Sequence, residues 1–130
     1  MLQVCSVTKY FKDKKIFSGF DLTVAQGRFH VLVGPSGCGK STLFDGLTGV
    51  IHLDGGSLSW NHEPLLNLSH HAAYMQQKDM LLPWFSLLDN ALLPAKTGGQ
   101  DIIAAENQAR SLFKRLGLKG YESHYSNQVS

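Results

Sequence analysis

The octapeptide Gly34-Pro35-Ser36-Gly37-Cys38-Gly39-Lys40-Ser41 constrains this chain more than any other stretch. Its spacing is G-x-x-x-x-G-K-[ST], the pattern of a phosphate-cradling loop between a strand and a helix. Glycines there can take φ > 0, so successive N–H groups converge on phosphate oxygens. The following helix aims its unpaired N–H groups and its positive dipole end at the same point. Lys40 adds a mobile charge for the β and γ phosphates, and the Ser41 hydroxyl suits Mg²⁺, a hard cation that prefers oxygen. The flanks agree. Residues 28–33 end in the apolar run Val31-Leu32-Val33, as a buried strand should. Residues 41–47 have helical spacing, with Leu43, Phe44 and Leu47 apolar and Gly49 placed as a C-cap.

Composition sets the remaining bounds. The 130 residues are 43% apolar and 17% charged, a balance that sets aside disorder, collagen and coiled coil. Twelve Lys and Arg against ten Asp and Glu leave a net charge of +2. That excess is too small to point to nucleic acid or an anionic membrane surface. Cys5 and Cys38 have no spacing that suggests a disulfide or a zinc knuckle, and a reducing compartment is expected. No two of the six histidines stand at i, i+4, so no metal site is expected from them. The longest apolar run, residues 80–88, has nine residues and contains Pro83 and Ser86; a spanning helix needs about 20. The N-terminus has no basic region followed by an apolar stretch, so a cytosolic chain without a signal peptide is expected.

Organisation follows from periodicity. Residues 2–11 and 17–24 predict strands around a charged turn at residues 12–15, and residues 28–33 a third strand. Asp54-Gly55-Gly56 predicts a turn before a short strand at 57–60, and residues 72–76 a further short strand. Ser86 and Asp89 predict an N-cap ahead of Leu87-Leu88 and Leu92-Leu93. Residues 101–116 predict the best helix, with Ile102, Ala105, Ala109, Leu112 and Leu116 in one stripe and Glu106–Arg110 paired on the other face. Gly117 ends it, and residues 121–130 have no pattern of their own.

The phosphate loop alone indicates a nucleotide, and the flanks narrow the class. No Asn is followed by Lys, so the N-K-x-D of a GTPase is missing, and the three arginines are too scattered for a kinase lid. Val7-Thr8-Lys9-Tyr10-Phe11, then Phe20-Asp21-Leu22-Thr23-Val24 with Gly27, then Val33 through Leu43 resemble the start of ATP-binding cassette (ABC) transporter ATPases. Gln77-Lys78-Asp79-Met80-Leu81-Leu82-Pro83-Trp84, followed by Leu88-Asp89-Asn90, resembles the Q-loop region of the nitrate/sulfonate/taurine group of importer ATPases. The resemblance implies ATP with Mg²⁺, held by Gly34, Pro35, Ser36, Gly37, Cys38, Gly39, Lys40, Ser41 and Thr42. It implies that Phe11 stacks on adenine, where the alternative is a core aromatic at a strand end. It implies that Gln77, six residues before Pro83, meets Mg²⁺ and the attacking water; the alternative is a solvated polar residue at a strand end. Ser41 and Gln77 are thus the implied Mg²⁺ ligands, and Lys40 and Gln77 the implied catalytic residues. Residues 80–85 are either a docking surface for a permease coupling helix or a core segment feeding the next helix.

The family's Walker B Asp-Glu, switch histidine and L-S-G-G-Q signature do not occur in this chain. Tyr125-Ser126-Asn127-Gln128-Val129-Ser130 resembles the run into the signature, with Ser126 where proline is usual and Val129 where leucine is usual. The implied fold is therefore α/β, a P-loop NTPase of ABC ATPase type with an incomplete sheet. Residues 1–84 would be an antiparallel β region and P-loop core, and residues 85–130 the start of a helical subdomain. The implied function is the ATP-binding subunit of an importer for a nitrate-, sulfonate-, taurine- or thiamine-precursor-like solute, binding ATP but hydrolysing it poorly alone. Its partners would be a transmembrane permease and a second ATPase subunit, and its place the cytoplasmic face of the membrane, peripheral and not spanning. The alternatives are a non-catalytic nucleotide-binding regulatory module and another P-loop NTPase.

Overall fold

Along the first strand the buried positions change phase once, and the change has a local cause. The computed structural model describes residues 1–78 and 80–129. In it, β1 (Leu2–Phe11) pairs antiparallel with β2 (Lys14–Val24). Leu2 and Val4 point inward, and then Val7 and Lys9 do, so the buried set passes from even to odd positions. Val4 faces Leu22 and Val7 faces Phe20, which leaves one extra residue on β1. Ser6 takes φ 50, and its amide donates to Asp21 Oδ1 at 2.7 Å. This is a β-bulge with its surplus amide satisfied by a side chain.

The hairpin is tighter than the charged turn predicted at residues 12–15. Lys14 and Lys15 belong to β2, opposite Phe11 and Tyr10, and Lys12 takes φ 53. On the other edge β1 pairs with β3 (Gly55–Trp60), which pairs with β4 (Glu63–Leu65). The sheet order is β2-β1-β3-β4, and every pairing is antiparallel. Asn61 and His62, both with positive φ, make the two-residue turn between β3 and β4, the backbone form that suits a tight hairpin. Gly55 and Gly56, predicted as a turn, lie inside β3.

α1 (Lys40–Thr48) lays Leu43 and Leu47 against Leu2, Val4, Val7, Leu58 and Leu68 to form the core. Gly49 caps it with φ 83, as its position predicts. At the edge of the core Lys9 is 8% exposed. Its ammonium lies 3.2 Å from Asp54 Oδ2, and the Tyr10 amide donates to that same oxygen at 2.6 Å. The Tyr10 amide first, and then the Lys9 ammonium, hold the Asp54 carboxyl below the usual carboxylate range.

Two predicted strands are not formed. Residues 28–33 and 72–76 carry no strand pairing among the described residues. Strand character is realised only when a neighbour supplies the ladder, and the four strands present pair only with one another. Phe29, Val31 and Val33 are consequently 92%, 68% and 86% exposed, while Leu32 packs against the core.

These elements belong to the unit Met1–Met75; the unit Gln76–Ser130 is helical. α2 (Leu87–Thr97) starts at the predicted cap, where Ser86 Oγ accepts from the Asp89 amide at 3.0 Å. Asn90 anchors the residues ahead of it: Oδ1 accepts from the Leu82 amide at 2.8 Å, and Nδ2 donates to the carbonyls of Leu82, Phe85 and Ser86. α3 (Ile102–Arg115) is capped by Asp101, whose carboxylate accepts from the Ile103 and Ala104 amides. Its buried face differs from the predicted stripe. Ala109 and Phe113 are buried, whereas Leu112 and Leu116 are 43% and 71% exposed. The tail is not free of structure, because the Leu87 and Leu88 amides donate to the His124 and Glu122 carbonyls. Ser130 lies outside the described residues. No described helix is long and apolar enough to cross a membrane.

Candidate functional site

The loop of residues 34–39 runs from the unpaired 28–33 segment into the first turn of α1. Gly37 and Gly39 take φ 78 and 97, values a side chain would resist. At Gly39 space is limiting as well, because a Cβ there would stand 2.8 Å from Ile16 Cγ2 of β2. The glycine thus lets the loop close onto the sheet. Gly34 is also confined, since its Cβ would meet Cys38 Sγ at 2.8 Å.

The α1 N-terminus has no side-chain cap and no acidic residue in its first turn. Among the described residues, the amides of Gly37, Gly39 and Lys40 have no protein acceptor, while Cys38 donates to the Pro35 carbonyl. Free amides and a positive dipole end at one place attract an anion. Lys40 turns back over the loop, and its Nζ lies 2.7 Å from both the Gly34 and Pro35 carbonyl oxygens and 3.5 Å from Cys38 Sγ. The Ser41 side chain is exposed on the first turn of α1, with Thr42 beside it half-buried. Hydroxyl oxygen on a helix N-terminus is donor chemistry that fits Mg²⁺ bound together with phosphate.

Residues 34–42 form one continuous stretch, the loop followed by the first turn of α1. Phe11 ends β1 in the same unit and is 49% exposed, with the Lys9 ammonium 5.4 Å from its ring centroid. It is not a core aromatic. Gln77 belongs to the second unit and is exposed, Gln76 is half-buried, and Asp79 of the same motif lies outside the described residues. Met80 and Trp84 are 70% and 67% exposed.

One contact behind the loop has no counterpart in the sequence reading. Tyr74 Oη donates to Asp45 Oδ1 of α1 at 2.9 Å, and its ring stacks on Phe44 at a centroid distance of 6.3 Å. Partial burial first, and then Asp45, push the Tyr74 phenol up. No local pattern marks this pair, because its members stand 29 residues apart.

Curated relatives match this chain in sequence, and solved structures match it in fold. The chain is 33% identical to the lipoprotein-releasing system ATP-binding protein LolD of Bacteroides fragilis, over all of this chain and 64% of the relative. It is 33% identical to the formylaminopyrimidine import ATP-binding protein ThiZ of Halalkalibacterium halodurans, over 93% of this chain and 46% of the relative. It is 28% identical to the taurine import ATP-binding protein TauB of Escherichia coli O157:H7, over all of this chain and 51% of the relative. The chain thus spans about half to two-thirds of the length of these relatives. The fold matches the dimeric ATP-binding cassette MJ0796, whose structure holds ADP and Pi, with a TM-score of 0.82 at 22% identity over 63% of that chain. The family model for ABC transporters matches residues 17–130, the loop, α1 and the helical unit included, and the chain belongs to that family.

Proposed function

We propose that this chain is the nucleotide-binding part of an ABC transporter ATP-binding subunit, and that it serves uptake of a small solute. The observation that carries the proposal is the loop itself: glycine-shaped backbone, unclaimed amides and the Lys40 ammonium meet at the start of α1. Phosphate oxygens would replace the carbonyls as partners of Lys40 and accept from the amides of Gly37, Gly39 and Lys40. Ser41 would offer its hydroxyl to Mg²⁺, with Gln77 as the second ligand of that ion. The exposed face of Phe11 supports adenine stacking, worth about 1–3 kcal/mol and nearly blind to the base.

In this reading residues 1–84 form the β region and P-loop core, and residues 85–130 begin a helical subdomain. The exposure of Met80 and Trp84 supports a docking surface for a permease on the cytoplasmic side of the membrane. A second ATPase subunit would complete the pair. The printed names of the taurine, aliphatic sulfonate and formylaminopyrimidine relatives support an importer; LolD, named for lipoprotein release, supports the opposite direction. Phosphoryl transfer is chiefly positioning and charge stabilisation. Residues 1–130 contain no Walker B carboxylate or signature, so these residues alone would bind ATP·Mg²⁺ and turn it over near background.

Titration of the purified chain with a fluorescent ATP analogue and Mg²⁺ tests the proposal. Saturable binding that disappears in Lys40→Ala is expected, with little phosphate release. Absence of binding by a folded sample overturns the nucleotide reading, and robust turnover overturns the expectation of a poor hydrolase.

A further inference from the structure

The P-loop rests on β2 at a second bulge. Lys9 and Tyr10 are consecutive on β1, but their partners on β2 are Phe17 and Lys15, so Ile16 is an extra residue. The loop uses both neighbours: a Cβ at Gly39 would stand 2.8 Å from Ile16 Cγ2 and 3.4 Å from Phe17 Cδ1. These contacts fix which face of the sheet carries the loop. Residues directly opposite in an antiparallel pair share a face. Phe17 is opposite Lys9, and the Lys9 ammonium lies over the ring of Phe11, two residues on, so Phe11 is on the loop face. Lys14 is opposite Phe11 and shares that face. Lys15, opposite Tyr10, is on the reverse face.

We propose that Lys14 is a further nucleotide-binding residue, its ammonium meeting the phosphate nearest the sugar. The proposal rests on the nucleotide reading above, with a base on Phe11 and the terminal phosphates at the loop. A ligand spanning those two points passes along the face of β2 that carries Ile16 and Phe17. Lys14 stands beside Phe11 at the base end of that path, about 7 Å along the strand from Ile16. Its flexible four-carbon stem lets the ammonium follow the ligand toward the loop. Lys40 is the only Lys, Arg or His in residues 34–48, and it is taken by the terminal phosphates in this reading, so the first phosphate needs a cation from elsewhere. Lys14 is exposed and free to supply one. The ion pairs among the described residues use Lys9, Lys96 and Arg110.

Two neighbouring lysines make the test. Lys14 and Lys15 carry the same charge one residue apart, so attraction of an anion through solvent is nearly alike for both. Only Lys14 faces the loop. The fluorescent ATP analogue with Mg²⁺ is titrated into the wild type, Lys14→Ala and Lys15→Ala. Lys14→Ala is expected to weaken binding about three- to tenfold, the lower part of the range for a hydrogen bond to a charged group because the site is open to water. Lys15→Ala should bind as the wild type does. Equal losses in the two variants, or loss in neither, overturn the Lys14 contact. Lys14→Arg restores the charge and should recover most of the loss; a loss that arginine does not recover is one of packing, and overturns the contact too.

The diphosphate form of the same analogue locates the contact along the ligand. Both forms carry the phosphate next to the sugar, so the fold-loss in Lys14→Ala should be the same for each. A loss confined to the triphosphate puts Lys14 at the far end of the ligand and overturns its place beside the sugar. The wild-type titration separates this inference from the reading beneath it. If the folded wild type binds no nucleotide, the nucleotide reading falls and Lys14 loses its ligand with it; saturable wild-type binding with undiminished affinity in Lys14→Ala removes Lys14 alone.

Discussion

The Lys40 ammonium reaches back over six residues and donates to the Gly34 carbonyl oxygen at 2.7 Å. The Pro35 carbonyl lies at the same distance, so one mobile cation pins the entry of the loop to its exit. An ammonium has three donors on a flexible stem and can trade carbonyls for phosphate without leaving the loop. Lys40→Ala removes the charge that phosphate would meet. A charge-assisted bond is worth about 1.5–3 kcal/mol, so affinity for ATP with Mg²⁺ should fall by at least about tenfold, measured by titration against the wild type. Lys40→Arg keeps the charge but presents a planar fork, and should recover only part of the loss. Full affinity in Lys40→Ala would remove the loop from the binding site.

Gly56 is the backbone position in β3 least able to accept a side chain. It takes φ 94, and a Cβ would stand 2.5 Å from Val7 Cα and 2.6 Å from the Cys5 carbonyl oxygen. Both obstacles are main chain of β1, next to the bulge, and neither can rotate away. Gly56→Ala should therefore separate β3 from β1 and cost more than about 2 kcal/mol, adding left-handed strain to overpacking. Gly27→Ala is the control: its φ of 69 carries similar strain, but a Cβ there meets nothing within 4 Å. Urea unfolding of the two variants should rank Gly56→Ala well below Gly27→Ala. Equal midpoints would mean that the β1–β3 contact is looser than described.

The legible and illegible parts of this fold divide by range. The P-loop, the Ser86 cap and the Gly49 stop are local devices, written in residues whose side chains or missing Cβ act within one turn. The Ser6 bulge depends on a carboxylate 15 positions away, and alternation read through it would put Val7, the most buried side chain, on the wrong face. On α3 two apolar stripes overlap, and packing against α2 selects Ala109 with Phe113 over Leu112 with Leu116. The loop of the candidate site was legible for the same local reason. Its brace, Tyr74 on Asp45, was not, because no spacing rule joins a helix to a segment 29 residues on.

Asp54 makes the β unit acid-sensitive. The Tyr10 amide, followed by Lys9, lowers its pKa below the usual carboxylate value. A carboxyl lowered in the folded state contributes stability above its unfolded pKa, about 3.9, and that contribution is lost as pH falls through the lower folded value. Asp54→Asn cannot titrate, so its stability should lie below wild type at pH 6 and converge on it as pH drops below about 4. Urea midpoints recorded from pH 6 to pH 2 check this. Asp89, lowered by the Ser86 hydroxyl and by Lys96, titrates in the same sense, so the comparison is cleanest in an Asp89→Asn background. Parallel curves for the two proteins would show that the Tyr10 and Lys9 contacts do not favour the ionised carboxylate.

Residues 28–33 present a sequence built for a buried strand to solvent. Phe29, Val31 and Val33 alternate along it at 92%, 68% and 86% exposure. Among the described residues, their amides donate to no backbone partner. Apolar side chains at period two beside open backbone donors and acceptors form a template for another strand. Residues 1–130 in isolation should therefore self-associate with rising concentration, and the association should depend on this face. Val31→Lys places a charge in the middle of it, where like charges of neighbouring copies would meet and apolar contact would be lost. Because Val31 buries little in the chain itself, the melting temperature should move by less than the equivalent of about 0.5 kcal/mol. Sedimentation velocity at increasing concentration is the measurement: wild type should shift to larger species while Val31→Lys stays monomeric. Lys substitution at Thr97, exposed on the C-terminal turn of α2, should leave the wild-type behaviour unchanged. If both variants associate as the wild type does, the sticky surface lies elsewhere on the molecule.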